Sequence, residues 1–473
     1  MDAAHRQRLH LKLQPYDQHH LLQWWDDLAP EERGRLVEQI ERIDFELLQQ
    51  LIRARRNLLD VAQAESESLA ERARRAVPPH AMLTRAWIES HPEQRQHAIE
   101  RGTQALQQGQ VGVLLVAGGQ GTRLGFPHPK GMYPIGPVSR KPLFALLAEQ
   151  VVEQGRRTGR EIPYYVMTSD ATHQDTVRFF QEQSYFGLPP DSVRFFAQGN
   201  MPAVDLQTGR LLMSSRCDLQ LSPDGHGGLV EAIWKAGLLD EMRTRGVTTL
   251  FYHQVDNPLA QVCDPEFIGW HLMEQSQVTT KVVAKTDAFE KVGLVAEIDG
   301  RTEIIEYSDL PTEIATQTTP AGQLKHWAGN TAIHLFERTF LEELATGGVQ
   351  LPFHVAVKAV PALDETGQLC PPRVENAWKF ERFVFDALPL AEKALVVETA
   401  REEEFCPLKN KSGMYSPEHV QRSLCERATR WLSQASLPVF SERVEIPAAV
   451  ALTAGELREK VRAGLDPTGI LWG

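Results

Sequence analysis

Apolar residues recur every three or four positions through "HLLQWWDDLAPEERGRLVEQIERIDFELLQQLIRARR" (His20–Arg56), with charges between them and few glycines, a period that predicts amphipathic helices. The first hundred residues therefore form a helical region, expected as a layer packed on the next domain, with a partner-binding role as the minority option. From about residue 105 the pattern changes to short apolar or β-branched runs alternating with helical segments. The runs "VGVLLVA" (Val111–Ala117), "PYYVMTS" (Pro163–Ser169), "VRFFAQ" (Val193–Gln198), "VTTLFYHQVD" (Val247–Asp256) and "TKVVAKT" (Thr280–Thr286) predict strands. Helices such as "PLFALLAEQVVEQ", with Pro142 at its start, lie between them. Such alternation predicts an α/β fold with a mainly parallel, Rossmann-like sheet covered by helices on both faces, which collects ligands at the carboxyl ends of its strands. "KVGLVAEIDG" and "RTEIIEYS", meeting at Asp299-Gly300, read as an inserted hairpin. The expected organisation is a helical region over 1–104, a catalytic domain over 105–390 and a small mixed C-terminal domain over 391–473.

Length and composition narrow the classes. A chain of 473 residues with 42% hydrophobic content can bury more than one core. Its apolar runs fall short of the roughly 18 residues that suggest a membrane span. The start "MDAAHRQRLHLKLQ" has no apolar signal core, so a cytoplasmic location and no membrane partner are expected. Five scattered cysteines without a CxxC pair argue against a disulfide framework and a structural zinc site. A net charge of −12 argues against nucleic acid as a partner. Against that background, Gln120–Lys141 carries Arg123, Lys130, Arg140 and Lys141 and no acidic residue.

The patch overlaps "LLVAGGQGTRLGFPHPKGMYPIG" (Leu114–Gly136), where a strand runs into glycines. A turn whose glycines supply only backbone angles leaves Arg123 and Lys130 unexplained. A dinucleotide fingerprint fits poorly: the spacing from Gly119 is GxGxxxG, and no acidic residue ends a second strand about twenty residues later. A P-loop would need Gly-Lys-Ser/Thr, which does not follow. Backbone N–H groups laid bare at Gly118, Gly119 and Gly121, with Arg123 and Lys130 as cations, suit a triphosphate. No HExxH or other metal-ligand spacing occurs among the histidines, and no GxSxG nucleophile elbow is present.

The loop, followed in order by "AQGNMPAVD", "SPDGHGGLVEAI", "HQVDNPL", "VGLVAEIDG", "EIIEYSDL", "AGNTAIHLF", "NAWKFERFVFDAL" and "REEEFCPLKN", resembles the eukaryotic-type UDP-sugar pyrophosphorylases over roughly residues 95–415, the N-acetylhexosamine branch most closely. The resemblance implies a uridylyltransferase that joins UTP and N-acetylglucosamine 1-phosphate to give the UDP-sugar and pyrophosphate by in-line attack on the α-phosphorus, with Mg²⁺ or another divalent cation. It implies Arg123 at the leaving phosphates, Lys130 at the α-phosphate and Lys409 as a further phosphate contact. Asp256, ending its strand, would face the metal. Gln198 would read uracil through its amide, and Gly225 and His226 would meet the uridine, His226 standing where the commonest pattern has Asn. Glu306, Asn330 and Phe383 would contact the sugar. Glucose or a broader range of sugars remains the alternative substrate, and a catalytically silent nucleotide-sugar sensor the alternative class.

Overall fold

The computed structural model describes residues 2–59, 71–348, 351–464 and 469–473. The five strand runs read from the sequence lie side by side or one strand apart in a ten-stranded mixed sheet. Its main path runs Met82–Leu83, Ala394–Glu398, Val278–Ala284, Ala328–Glu337, Thr249–Gln254, Val111–Val116, Tyr164–Thr168 and Val193–Ala197. Every neighbouring pair on that path is parallel except the two made by Ala328–Glu337, which runs antiparallel to both its neighbours. Val113, Leu115, Val166, Val193 and Phe251 point into one core with Leu147 and Val151 of the helix Leu143–Thr158 and Phe267 and Trp270 of the helix Pro265–Met273. Alternate residues face the other way. Arg194, next to Val193, pairs there with Glu241 of the helix Leu238–Arg245 at 2.9 Å, so helices cover both faces. The hairpin Leu294–Ile298 and Arg301–Ile305 turns on Asp299 and Gly300, both at positive φ (51° and 79°), the geometry that an Asp-Gly pair favours.

Contacts group the chain differently from three consecutive segments. One unit contains the described residues within Met1–Leu69, Gln198–Gly228 and Leu351–Val384; the other contains those within Ala70–Ala197, Leu229–Gln350 and Phe385–Gly473. In the first unit the helices Asp2–Leu13, Pro30–Arg42 and Phe45–Leu59 bury Leu13, Leu36, Ile40 and Leu48 against Val204, Trp378 and Phe380 of a small antiparallel sheet. That sheet pairs Phe353–Lys358 with Ala377–Arg382, and the latter with Val204–Asp205. In the second unit "KALVVET" forms the strand Ala394–Glu398 inside the central sheet, while Pro417–Gln434, Ala454–Arg462 and the pair Val444–Glu445/Leu471–Trp472 gather around a C-terminal core of Trp431, Leu432, Val444 and Leu457. Among the described residues no helix is long and apolar enough to cross a membrane.

Candidate active site

In the second unit, register pairs Gln254 with Val116, so Gly118 and Asp256 emerge abreast from the carboxyl ends of adjacent parallel strands. The glycine loop folds back on itself: Lys130 N–H donates to Gly119 O at 3.0 Å and Gly121 N–H to His128 O at 2.9 Å, so the Gly121 N–H expected to be bare is already engaged. A Cβ at Gly121 would meet Phe126 O at 2.8 Å, so the fold-back needs glycine there. The N–H groups of Gly118, Gly119 and Gln120 have no acceptor among the described residues. Successive unpaired N–H groups of this kind form an anion cradle. Arg123 is exposed beside it, with no carboxylate partner among the described residues. Lys130 opens a short helical turn, held where Gly131 packs on the Phe144 ring, and its Nζ lies 3.5 Å from Asp256 Oδ2. Both partners are largely buried, at 19% and 13% side-chain exposure, so this pair feels less solvent screening than a surface pair.

Lys409 arrives at the same place from far along the chain. Leu408 N–H donates to Asp256 O at 2.7 Å. The buried Asn257 fixes the approach: its Nδ2 donates to Glu404 O at 2.7 Å and its Oδ1 accepts from Cys406 N–H at 3.2 Å. Glu404 is itself anchored by Lys281, whose Nζ donates to both Glu404 oxygens at 2.7 Å and to Asp264 Oδ2 at 2.8 Å. Burial alone would lower the Lys281 pKa, but the two carboxylates outweigh it and push the pKa up. Arg427 adds a second tie, donating to Leu259 O at 2.9 Å and Glu403 O at 3.1 Å.

Glu306 and Asn330 both approach Gly293 in the second unit. Asn330 N–H donates to Gly293 O at 2.8 Å, and a Cβ at Gly293 would lie 3.5 Å from Glu306 Oε1. Asn330 Oδ1 accepts from Ala332 N–H at 2.9 Å, which orients the amide.

The remaining predicted residues belong to the first unit. Gln198 follows the strand Val193–Ala197 and is 7% exposed, yet no group among the described residues hydrogen-bonds its amide. The "PDGHGG" turn is clamped onto the end of the strand Ala377–Arg382. Arg382 N–H donates to Asp224 O at 2.7 Å, and the buried Asp224 and Arg382 side chains form an ion pair. Gly225 has φ +84°, and a Cβ there would collide with Arg382 O, so the turn requires glycine on two counts. His226 Nδ1 accepts from Val384 N–H at 3.1 Å. Burial, then the neighbouring His354, lowers the His226 pKa to about 4, leaving a neutral ring. Phe383 stacks between the two, its centroid 5.3 Å from His226 and 4.4 Å from His354. It directly follows the strand Ala377–Arg382.

The sequence missed Asn257, Lys281, Glu404 and Arg427. Asn257 sits next to Asp256 in "VDN" and was the one recoverable signal, since a polar residue at the end of a buried strand needs partners. The others lie 25 to 171 positions from Asp256 and are joined to it only by folding.

A mixed α/β sheet with an anion cradle and lysines at its carboxyl ends defines a nucleotidyltransferase-type site. Residues 50–438 match the UTP–glucose-1-phosphate uridylyltransferase family, and the chain belongs to it. It is 38% identical to the human UDP-N-acetylhexosamine pyrophosphorylase-like protein 1, over 91% of this chain and 86% of that protein. It is 38% identical to the UDP-N-acetylglucosamine pyrophosphorylase of Saccharomyces cerevisiae, over 78% and 80%. Its structure superposes on that of the Trypanosoma brucei UDP-N-acetylglucosamine pyrophosphorylase in complex with inhibitor with a TM-score of 0.82, at 26% identity, covering 97% of this chain and 95% of the other. The chain is thus a uridylyltransferase by family, with the α/β fold expected from its sequence.

Proposed function

We propose that the protein transfers the uridylyl group of UTP to N-acetylglucosamine 1-phosphate, forming UDP-N-acetylglucosamine and pyrophosphate. The observation that carries this is the set of three acceptor-free N–H groups, Gly118 to Gln120, beside the Lys130–Asp256 pair. A triphosphate supplies what that cradle lacks. Two anions must meet for the sugar phosphate to attack the α-phosphorus in line, so catalysis consists of alignment and charge neutralisation. Lys130 neutralises the charge that grows on the α-phosphate, Arg123 meets the departing β- and γ-phosphates, and Lys409 holds the phosphate of the incoming sugar. Gln198, buried with an unused amide, offers one donor and one acceptor to uracil. Gly225 and the neutral His226 are assigned to the uridine, and Phe383, Glu306 and Asn330 are each assigned to the acetylated sugar.

Asp256 is a single hard oxygen donor with a lysine beside it. That donor set fits a Mg²⁺ ion, or another divalent cation, carried mainly by the triphosphate, since such an ion takes one or two protein carboxylates and leaves the rest to phosphate and water. When bound it would withdraw charge from the phosphate oxygens. The free cysteines, including the exposed Cys370, fit a cytoplasmic location.

The test is pyrophosphate release with Mg²⁺ and UTP, comparing N-acetylglucosamine 1-phosphate and glucose 1-phosphate at equal subsaturating concentration. Preference for the acetylated sugar is expected. Preference for glucose 1-phosphate would transfer the assignment to the sister activity, and release with neither would leave a silent sensor.

A further inference from the structure

Tyr415 holds φ +62°, a left-handed conformation that a side chain with a Cβ adopts only at a cost. Its backbone is fully engaged there. The Tyr415 carbonyl accepts from both Lys409 N–H (2.9 Å) and Asn410 N–H (3.1 Å), and its own N–H donates to His419 Nδ1 at 2.8 Å. The left-handed bend therefore builds the loop that presents Lys409.

The ring fixes the bend from the other side. Tyr415 Oη donates to Glu290 Oε1 at 2.9 Å and accepts from Arg401 Nη1 at 3.1 Å. Arg401 also donates to Glu290 Oε2 at 2.9 Å and to Ala284 O at 3.1 Å. Glu290 is 6% exposed and organises the loop it sits in: its Oε2 accepts from Thr286 N–H at 2.7 Å and its carbonyl from Val292 N–H at 2.8 Å. The next residue is Gly293, the one that takes the Asn330 N–H and lies against Glu306.

We infer that Tyr415 is a positioning residue that couples the Asn330–Glu306 side of the site to Lys409 through Glu290. This rests on the proposed roles of those three residues. Ordering of the Gly293 loop by the sugar is transmitted through the Glu290 carboxylate to the Tyr415 hydroxyl, and so to the loop that carries Lys409. The hydroxyl touches no substrate, so its loss should act on alignment and leave uracil recognition alone.

The experiment compares wild type, Tyr415→Phe, Glu290→Gln and the double variant in steady-state pyrophosphate release with N-acetylglucosamine 1-phosphate, alongside thermal melting. Tyr415→Phe keeps the ring and the backbone carbonyl. A fall in kcat of about ten-fold is expected, with KM for UTP within about two-fold of wild type, because a displaced phosphate-binding group costs alignment. The double variant should lose no more than the worse single one, the signature of groups that act as a unit. Wild-type kcat in Tyr415→Phe would overturn the inference, as would additive losses or a lower melting point with kcat and KM unchanged. If the wild-type enzyme itself turned over no sugar phosphate, the functional assignment would fall first and the inference with it, whereas an active wild type with an indifferent Tyr415→Phe removes the inference alone.

Discussion

Lys130 and Asp256 illustrate how much of the chemistry resides in single residues. The 3.5 Å pair is largely buried, so Lys130 is aimed before any ligand arrives, and its proposed value lies in the charge that develops during transfer. Lys130→Ala should lower kcat by roughly 10²-fold while changing KM for the sugar phosphate much less, as expected for a group that acts on the transition state. Steady-state kinetics check this, and an unchanged kcat would remove Lys130 from the reaction. Gln198 makes the converse case, a ground-state contact. Its amide is left without a protein partner among the described residues, on a residue only 7% exposed, which keeps it available to a ligand. Gln198→Glu places a carboxylate where uracil O4 would lie, so UTP affinity should fall by about ten-fold or more at constant kcat. Titration calorimetry with UTP measures it; equal affinity would exclude Gln198 from base recognition. Arg123, Lys130 and Asp256 stand out in the sequence as candidates because their charges follow a glycine-rich loop or an apolar strand end. Asn257 and Tyr415 do not, because each is defined by partners that only the folded chain supplies.

At the level of elements, the strand Thr249–Gln254 carries both the reactive end and a hidden liability. His253 is fully buried in the core beside Phe251, and neither ring nitrogen finds a hydrogen-bond partner among the described residues. Burial, against a smaller opposing effect from the Gln254 backbone, lowers its pKa to about 3. The unfolded chain protonates this histidine near pH 6.5 and the folded chain does not. Stability from this group is therefore complete above pH 6.5 and is lost as pH falls from there toward 3, by about 2 kcal/mol at pH 5. Urea unfolding of wild type and His253→Leu at pH 7.5 and pH 5 should show the variant losing about that much less on acidification. An equal loss in both would mean that another group controls acid stability. Elements of this kind were readable because β-branched runs announce buried strands, and Asp299-Gly300 announced its hairpin. Ala328–Glu337 escaped as a strand, since Gly329 and Asn330 interrupt its apolar pattern, and the place of Ala394–Glu398 in the central sheet is hidden because its partner strand lies more than a hundred residues earlier.

Across the whole molecule, the N-terminal helices belong to the unit that contains Gln198, Gly225, His226 and Phe383, a grouping that sequence order conceals because three separated stretches of chain build it. The helices complete that unit's polar pairing as well as its core. Gln18, 4% exposed, donates to Gly209 O at 3.0 Å and accepts from Leu211 N–H at 2.9 Å, and Gln39 Oε1 accepts from Leu219 N–H at 2.7 Å. Removing residues 1–59 would bare Val204, Leu211, Met213, Trp378 and Phe380, each worth about 1.5–3 kcal/mol of burial, and leave those backbone groups without their partners. Trp378 and Phe380 lie on the strand whose end clamps the "PDGHGG" turn, so the loss reaches the residues proposed to meet uridine. The truncated chain should therefore bind UTP at least about a hundred-fold more weakly and expose apolar surface to a hydrophobic dye, while the ten-stranded sheet still unfolds cooperatively. Normal UTP affinity in the truncated chain would separate the helices from the fold and return them to the role of a partner-binding arm. Loss of affinity together with dye binding makes them an integral wall of the unit proposed to hold the uridine.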